Sequence, residues 1–281
     1  MRGRPRGRLR GRLRGRRPLR VLAAGVGAVV LLSGCAPSVD PIERLGRKAA
    51  QRVHRTHAAH ERAYRRWGLA APLAPAPRPP RPLGGAQERL PVVLDRVPTH
   101  DKVVFLTYDE GAENDPRFVD MIRELRLPVS VFLTDRALRP GDARAARLRA
   151  AGAVIQNHTL DRTALRGRPY GEQRAEICGQ RDRLKARLGV QPRLLRPPYG
   201  RYDRTTLRAA ADCGVTALIL WRPAPSPGAG RHGREAAPRS GDIVLPREAG
   251  RPLASLTAET TRLLRRIQSR GFTVGRLEDY L

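Results

Sequence analysis

Cysteine is scarce in this chain: Cys35, Cys178 and Cys213 are the only three among 281 residues. That is too few for a cysteine metal site. Lysine is as rare, with only Lys48, Lys102 and Lys185, so the basic excess is carried by arginine. Residues 1–20 hold ten arginines and no acid. The apolar stretch that follows, Val21 to Leu32, is about a dozen residues long, short of the roughly 20 that a membrane-spanning helix needs. No internal repeat is apparent. A chain of 281 residues could hold one large core or two small ones, but its N-terminal third has little to bury.

What is present at the N-terminus is the order of a secretory signal: a positive region, a short apolar run, then Ser33-Gly34-Cys35. Leu32-Ser33-Gly34-Cys35 resembles a bacterial lipoprotein box, in which the cysteine is lipidated and the chain is cut just before it. The resemblance implies a signal over residues 1–34 and an exported protein held at the outer face of the cell membrane through Cys35. An ordinary secreted protein and a retained anchor are the alternatives. Arg16-Arg17 would also suit twin-arginine export, although a pair is weak in so arginine-rich a segment. Cys178 and Cys213 are left to form one disulfide or to be small buried side chains.

The formal charge is +29; with the ten leader arginines set aside, 45 basic residues face 26 acidic ones, a formal +19. Such a surface is drawn to acidic wall polymers, anionic headgroups or nucleic acid. The arginines are spread through the chain, however, and charge alone argues for no specific nucleic-acid partner.

From Ile42 to Trp67 a helix is expected, with Leu45, Ala49, Val53 and Ala59 as a thin apolar stripe. His54, His57 and His60 recur along it without the acid or cysteine partners of a metal site. Ala70 to Pro82, rich in alanine and proline, reads as a stiff spacer, so residues 35–86 are expected to be a tether. The compact domain is expected over residues 87–281.

Its organising stretch is Val103-Val104-Phe105-Leu106-Thr107-Tyr108-Asp109-Glu110-Gly111, a buried strand that ends in two carboxylates and a glycine. Helices are expected at Asp115 to Leu127, Ala143 to Ala151, Tyr170 to Leu188, Thr205 to Ala211 and Leu256 to Ser269. Further strands are expected at Val129 to Leu133, Ala153 to Gln156, Leu194 to Arg196, Val215 to Leu220, Asp242 to Leu245 and Phe272 to Val274. Seven short strands alternating with helices define an α/β fold with a mostly parallel sheet, either barrel or open.

Strand ends carry the chemistry of such folds. Five stretches fall there: Thr107-Tyr108-Asp109-Glu110-Gly111, Asn157-His158-Thr159-Leu160-Asp161-Arg162, Arg196-Pro197-Pro198-Tyr199-Gly200, Leu220-Trp221 and Gly241-Asp242-Ile243-Val244-Leu245-Pro246-Arg247. In this order they resemble the motifs of the NodB-type polysaccharide deacetylases (carbohydrate esterase family 4), over about residues 90–281. The resemblance implies a distorted (β/α) barrel and metal-dependent removal of acetyl groups from chitin-like polymers, peptidoglycan sugars or xylan.

Carried over by motif, Asp109 is the general base and Glu110 a metal ligand one methylene longer than the usual acid. His158 is the second ligand, and Arg162 stands where the third, a histidine, is expected. Arg196 orients the base, the Tyr199 amide helps hold the oxyanion, and Trp221, with Tyr108, lines the substrate pocket. Arg222-Pro223-Ala224 lacks the acid that supports the catalytic histidine, and Arg247 stands in that histidine's place as general acid.

These departures touch the reaction directly. A guanidinium offers only donors and stays protonated, so Arg162 would repel a divalent ion and Arg247 could not readily hand over a proton at neutral pH. Asp161 and His232 could replace the third ligand and the acid, but spacing requires neither. A zinc- or cobalt-like ion is therefore expected to be weak or absent, below one equivalent of tightly held zinc.

The same residues also have plainer readings. Asp109 and Glu110 could form an ion-pair cluster with Arg196, Arg162 and Arg247; His158 could be a satisfied strand-end histidine; Trp221 could be core. Three functions follow: a glycan-binding, deacetylase-like surface protein with lost or reduced catalysis, an active hydrolase with altered ligands, or a structural or partner-binding lipoprotein. Arg162 and Arg247 would make the groove cationic, favouring carboxylated or phosphorylated wall glycans.

Overall fold

The computed structural model describes residues 45–47, 50, 62–79, 90–139, 141, 143–223, 238–246 and 256–281. Residues 45–47 form a helical turn with Leu45 exposed, in a compact unit that ends at Arg47. The expected signal, Cys35 and His54, His57 and His60 lie outside the described residues. The account that follows concerns the unit from Lys48 to Leu281.

Among the described residues this unit is an α/β fold around one nine-stranded sheet, a distorted barrel. In chain order the strands are β1 (Val92–Leu94), β2 (Val103–Asp109), β3 (Val129–Leu133), β4 (Val154–Asn157), β5 (Leu194–Leu195), β6 (Ala217–Ile219), β7 (Arg222–Pro223), β8 (Ile243–Leu245) and β9 (Thr273–Gly275). They lie in the order β1-β6-β5-β4-β3-β2-β8-β7, with β9 on β2, and every pairing is parallel. The seven expected strands are all present. β1 and β7 are additional, three and two residues long.

The crossovers are α1 (Pro116–Leu125), α2 (Arg144–Ala150), α3 (Tyr170–Leu188), α4 (Arg204–Asp212) and α5 (Leu256–Ser269). Asp115 caps α1 by accepting from the amides of Arg117 and Phe118, and Pro116 sits in its first turn, where it has no intrahelical bond to lose. Asp203 and Thr206 form a reciprocal cap on α4.

Side-chain alternation along β2 sorts the interior into two layers. Val104, Leu106 and Tyr108 face outward into the cluster that receives Phe118, Ile122, Leu263 and Leu264 from the helices. Val103 and Phe105 face inward with Phe132, Ile219, Ile243 and Tyr280. On the same inward face, nearer the carboxyl end, come Thr107 and Asp109. The barrel is thus apolar at its base and charged at its mouth.

The first and last parts of the wall meet at one antiparallel bridge, Arg96 to Asp242. There the Val97 amide donates to the Gly241 carbonyl at 2.8 Å. Gly241 has φ +79, and a Cβ on it would lie 1.9 Å from the Val97 carbonyl oxygen, so both backbone and space require glycine.

One expectation is revised and one open alternative is resolved. Residues 69–79 are irregular, as a spacer would be, yet they are laid against the domain. Trp67 is 6% exposed and donates from Nε1 to Glu124 Oε2 at 2.9 Å. Gln268 donates to the Ala71 carbonyl at 2.8 Å, and the Tyr280 hydroxyl to that of Pro77. An extended chain leaves its carbonyls free, and here side chains of the domain use them. Cys178 and Cys213, left open between pairing and burial, are bonded, tying α3 to the end of α4 with Cα atoms 5.1 Å apart.

Candidate active site

The site forms where β2, β4, β5 and β6 end. Asp109 closes β2 on its inward face, and Arg196, which follows β5, reaches across the mouth to it. The Arg196 guanidinium is completely buried. It donates from Nη1 to Asp109 Oδ1 at 2.7 Å, from Nη2 to Thr107 Oγ1 at 2.7 Å and from Nε to the Ile219 carbonyl at 3.4 Å. Its central carbon, Cζ, lies 4.2 Å from the ring centroid of Phe132 and 5.3 Å from that of Trp221. Burial by itself would raise the Asp109 pKa. Arg196, with His158 and Arg162, outweighs it and holds the carboxyl below its ordinary range. Asp109 is therefore an ionised proton acceptor, and a weak one.

His158 follows β4. Its Nδ1 lies 2.8 Å from the Arg196 carbonyl, which can only accept, so Nδ1 carries a proton. Its Nε2 lies 3.5 Å from Glu110 Oε2. Both atoms are buried and have no hydrogen-bond partner. Asn157 sets up this turn: its side-chain oxygen accepts from the Thr159 amide at 2.8 Å, and its amide group donates to the Ile177 carbonyl at 2.9 Å. Thr159 and Arg162 then take left-handed backbone conformations, φ 68 and 58. This brings Arg162 back over the mouth, where Nη1 lies 3.1 Å from Glu110 Oε1. The guanidinium carbon stands 5.5 Å from the Tyr199 ring centroid.

Glu110 and His158 therefore face one another as two ligands of a shared ion would. The third position fails. Arg162 is a donor with a permanent positive charge, already engaged with Glu110, and the exposed Asp161 lies on the rim without joining the pair. Among the described residues no three His, Cys, Asp or Glu side chains gather as a metal site. The donor set does not fit a tightly held divalent ion.

The structure thus brings together Asp109, Glu110, His158, Arg162, Arg196, Tyr199 and Trp221. Tyr199 is 60% exposed with φ 59, and Trp221 is half-buried. Arg247 and His232 lie outside the described residues. Tyr108, expected to line the substrate pocket, instead points out of the barrel. It is 2% exposed, packs on Phe118 and shares a 3.0 Å hydrogen bond with Thr260, because its even position on β2 faces the helices. Thr107 and Phe132, which seat Arg196, were not singled out by sequence. Thr107 stands two residues before Asp109, hence on the same strand face, and that spacing was the available signal.

The family model described as polysaccharide deacetylase matches residues 96–218. An uncharacterised protein of Streptomyces coelicolor is 55% identical over 195 residues, covering 69% of this chain and 78% of its own. A peptidoglycan-N-acetylglucosamine deacetylase of Bacillus cereus is 23% identical over 191 residues, 63% of this chain and 86% of its own. The solved structure of a carbohydrate esterase family 4 pseudoenzyme from Bacillus anthracis has a TM-score of 0.57 at 20% identity, over 68% of this chain and 69% of that one, a likeness of fold. The chain belongs to the polysaccharide deacetylase family.

Proposed function

We propose that this is a deacetylase-like protein of the cell surface that binds acetylated wall glycan, such as peptidoglycan or a chitin-like polymer, with lost or much reduced hydrolysis. One observation carries the reading: Arg162 lies against Glu110 at 3.1 Å, where the family places a metal-binding histidine. Amide hydrolysis of this type needs an ion to activate water, a base, and an acid for the departing amine. Asp109 can serve as base. The ion is opposed by Arg162, and the acid position falls to Arg247, whose loss of an acid role alone removes about 10²–10⁴ in rate.

The names of relatives support the substrate class: they are deacetylases of peptidoglycan, chitin and chitooligosaccharides. Tyr199 and Trp221 would offer ring faces to sugars. The basic leader and Cys35 support export and a lipid anchor, and the Cys178–Cys213 bond suits an oxidising compartment. No helix among the described residues is long and apolar enough to cross a membrane.

A second reading, hydrolysis by an altered metal site, is favoured by the facing, unpartnered Glu110 Oε2 and His158 Nε2. One experiment separates the two: metal content and acetate release from peptidoglycan and chitooligosaccharide, for the unaltered protein, Arg162→His and Arg162→His/Arg247→His. The unaltered protein is expected to hold under one equivalent of zinc and to release no chelator-sensitive acetate, while reversion gains metal. Such a reversal has precedent in fold relatives, where a mutant of the pseudoenzyme is described as having restored activity. Stoichiometric metal with chelator-sensitive acetate release by the unaltered protein would overturn the first reading.

A further inference from the structure

Outside the site, a cavity of about 660 Å³ is lined by five arginines, Arg65, Arg66, Arg117, Arg262 and Arg265, and by a single carboxylate, Asp115. Asp115 is already committed, accepting from the Arg117 and Phe118 amides and from the Thr257 hydroxyl at 2.8 Å. Arg66 is paired with Glu124 at 2.6 Å, and Arg265 donates to the Gly68 carbonyl. The Arg117 and Arg262 side chains have no hydrogen-bond or ion-pair partner among the described residues.

Arginine is abundant in this chain, so number alone means little. Convergence is the informative property. Elsewhere on the surface Arg123, Arg168 and Arg181 each meet a carboxylate, and others such as Arg126, Arg136 and Arg201 do not line this cavity. At the cavity five like charges converge with nothing to offset two of them, an arrangement that is unfavourable until an anion enters. Its place in the fold is also informative. Asp115, Arg117 and Thr257 stand at the starts of α1 and α5, the helices that follow β2 and β8, while Arg66, Trp67 and Arg265 carry the lining down the flank of the two helices.

We infer that this cavity is a subsite for an anionic substituent, phosphate or carboxylate, of the same glycan chain that crosses the barrel mouth. The inference rests on the glycan-binding reading and narrows it from acetylated glycan in general to a polyanionic one. Arg117 and Arg262 supply the free guanidinium groups, which suit the planar two-pronged geometry of such oxygens.

The test uses the full-length chain carrying Cys35→Ser, so that no acyl chain contributes. Its affinity is measured for peptidoglycan bearing a phosphodiester polymer, for the same peptidoglycan stripped of phosphate, for neutral chitooligosaccharide, and for phosphatidylglycerol vesicles. Stripping the phosphate is expected to weaken binding, and Arg117→Gln/Arg262→Gln to lower the ratio of affinities for phosphorylated over stripped polymer about tenfold. Arg117→Lys/Arg262→Lys, which keeps the charge but not the two-pronged geometry, should retain more of the ratio than the glutamine variant and shows that the latter's loss is not misfolding. An unchanged ratio in the glutamine variant overturns the subsite. A loss confined to vesicles also overturns it and assigns the cavity to membrane. Phosphate-dependent binding with none to stripped peptidoglycan or chitooligosaccharide supports the subsite, while counting against the glycan groove at the mouth.

Discussion

Arg196 and Asp109 form a pair whose guanidinium member has no exposed surface: it sits between the rings of Phe132 and Trp221 and donates to the carboxylate at 2.7 Å. A charge so placed depends on its partner, because desolvation acts on it whether or not the carboxylate is there. Burial and the partner also pull the Arg196 pKa in opposite directions; burial prevails, and it lies below its ordinary value.

Asp109→Asn should therefore destabilise the fold by about 3–5 kcal/mol at neutral pH, the range found when one member of a buried pair is removed. The effect has a pH signature. The Asp109 pKa is lowered in the folded state, so its contribution is fully present above the unfolded value of about 3.9 and fades as pH falls through the folded one. Urea unfolding at pH 7 and pH 3 should show the gap between the unaltered protein and Asp109→Asn narrowing in acid. A gap of constant size would mean that the carboxylate's charge is not what holds Arg196.

The Cys178–Cys213 bond closes a loop with a sequence separation of 35. By chain-entropy arithmetic a loop of this length contributes about 3–4 kcal/mol. Cys178→Ser/Cys213→Ser should lower the unfolding midpoint accordingly, and a reducing agent should do the same to the unaltered protein. An unmoved midpoint in both would show that packing alone holds α3 and α4 together.

Trp67→Ala tests whether the segment before the barrel belongs to it. Loss of a buried indole and of its bond to Glu124 should cost about 3 kcal/mol. Residues of a free spacer would change stability by less than about 0.5 kcal/mol, so the calorimetric shift decides between the two.

Legibility in the sequence followed the size of the signal. The strands at Val103–Asp109 and Val129–Leu133 are mostly apolar and rich in valine and phenylalanine, and α3 and α5 have the expected bounds. β1 was missed because Val92–Leu94 is short and half-buried between a proline and an aspartate, and β7 because Arg222-Pro223 does not read as a strand. Trp67, Leu69 and Leu73 mark the docked segment, but alanine and proline around them set the expectation of a spacer. At the site, motif order placed Glu110, His158 and Arg162 together. It also carried Tyr108 into the pocket, where period-two alternation would have sent it to the core. The contact of Arg162 with Glu110 depends on two left-handed residues in one turn, which composition does not announce.

At Arg96 and Asp242 the two ends of the wall are joined by an isolated bridge and not by a paired strand. Two backbone hydrogen bonds, from Val97 to Gly241 and from Ile243 to Asp95, hold it, together with the Arg96–Asp242 and Arg222–Asp95 ion pairs. If the mouth widens to admit a bulky polymer, the wall opens there like a clasp, while the floor under Asp109 and Arg196 stays shut.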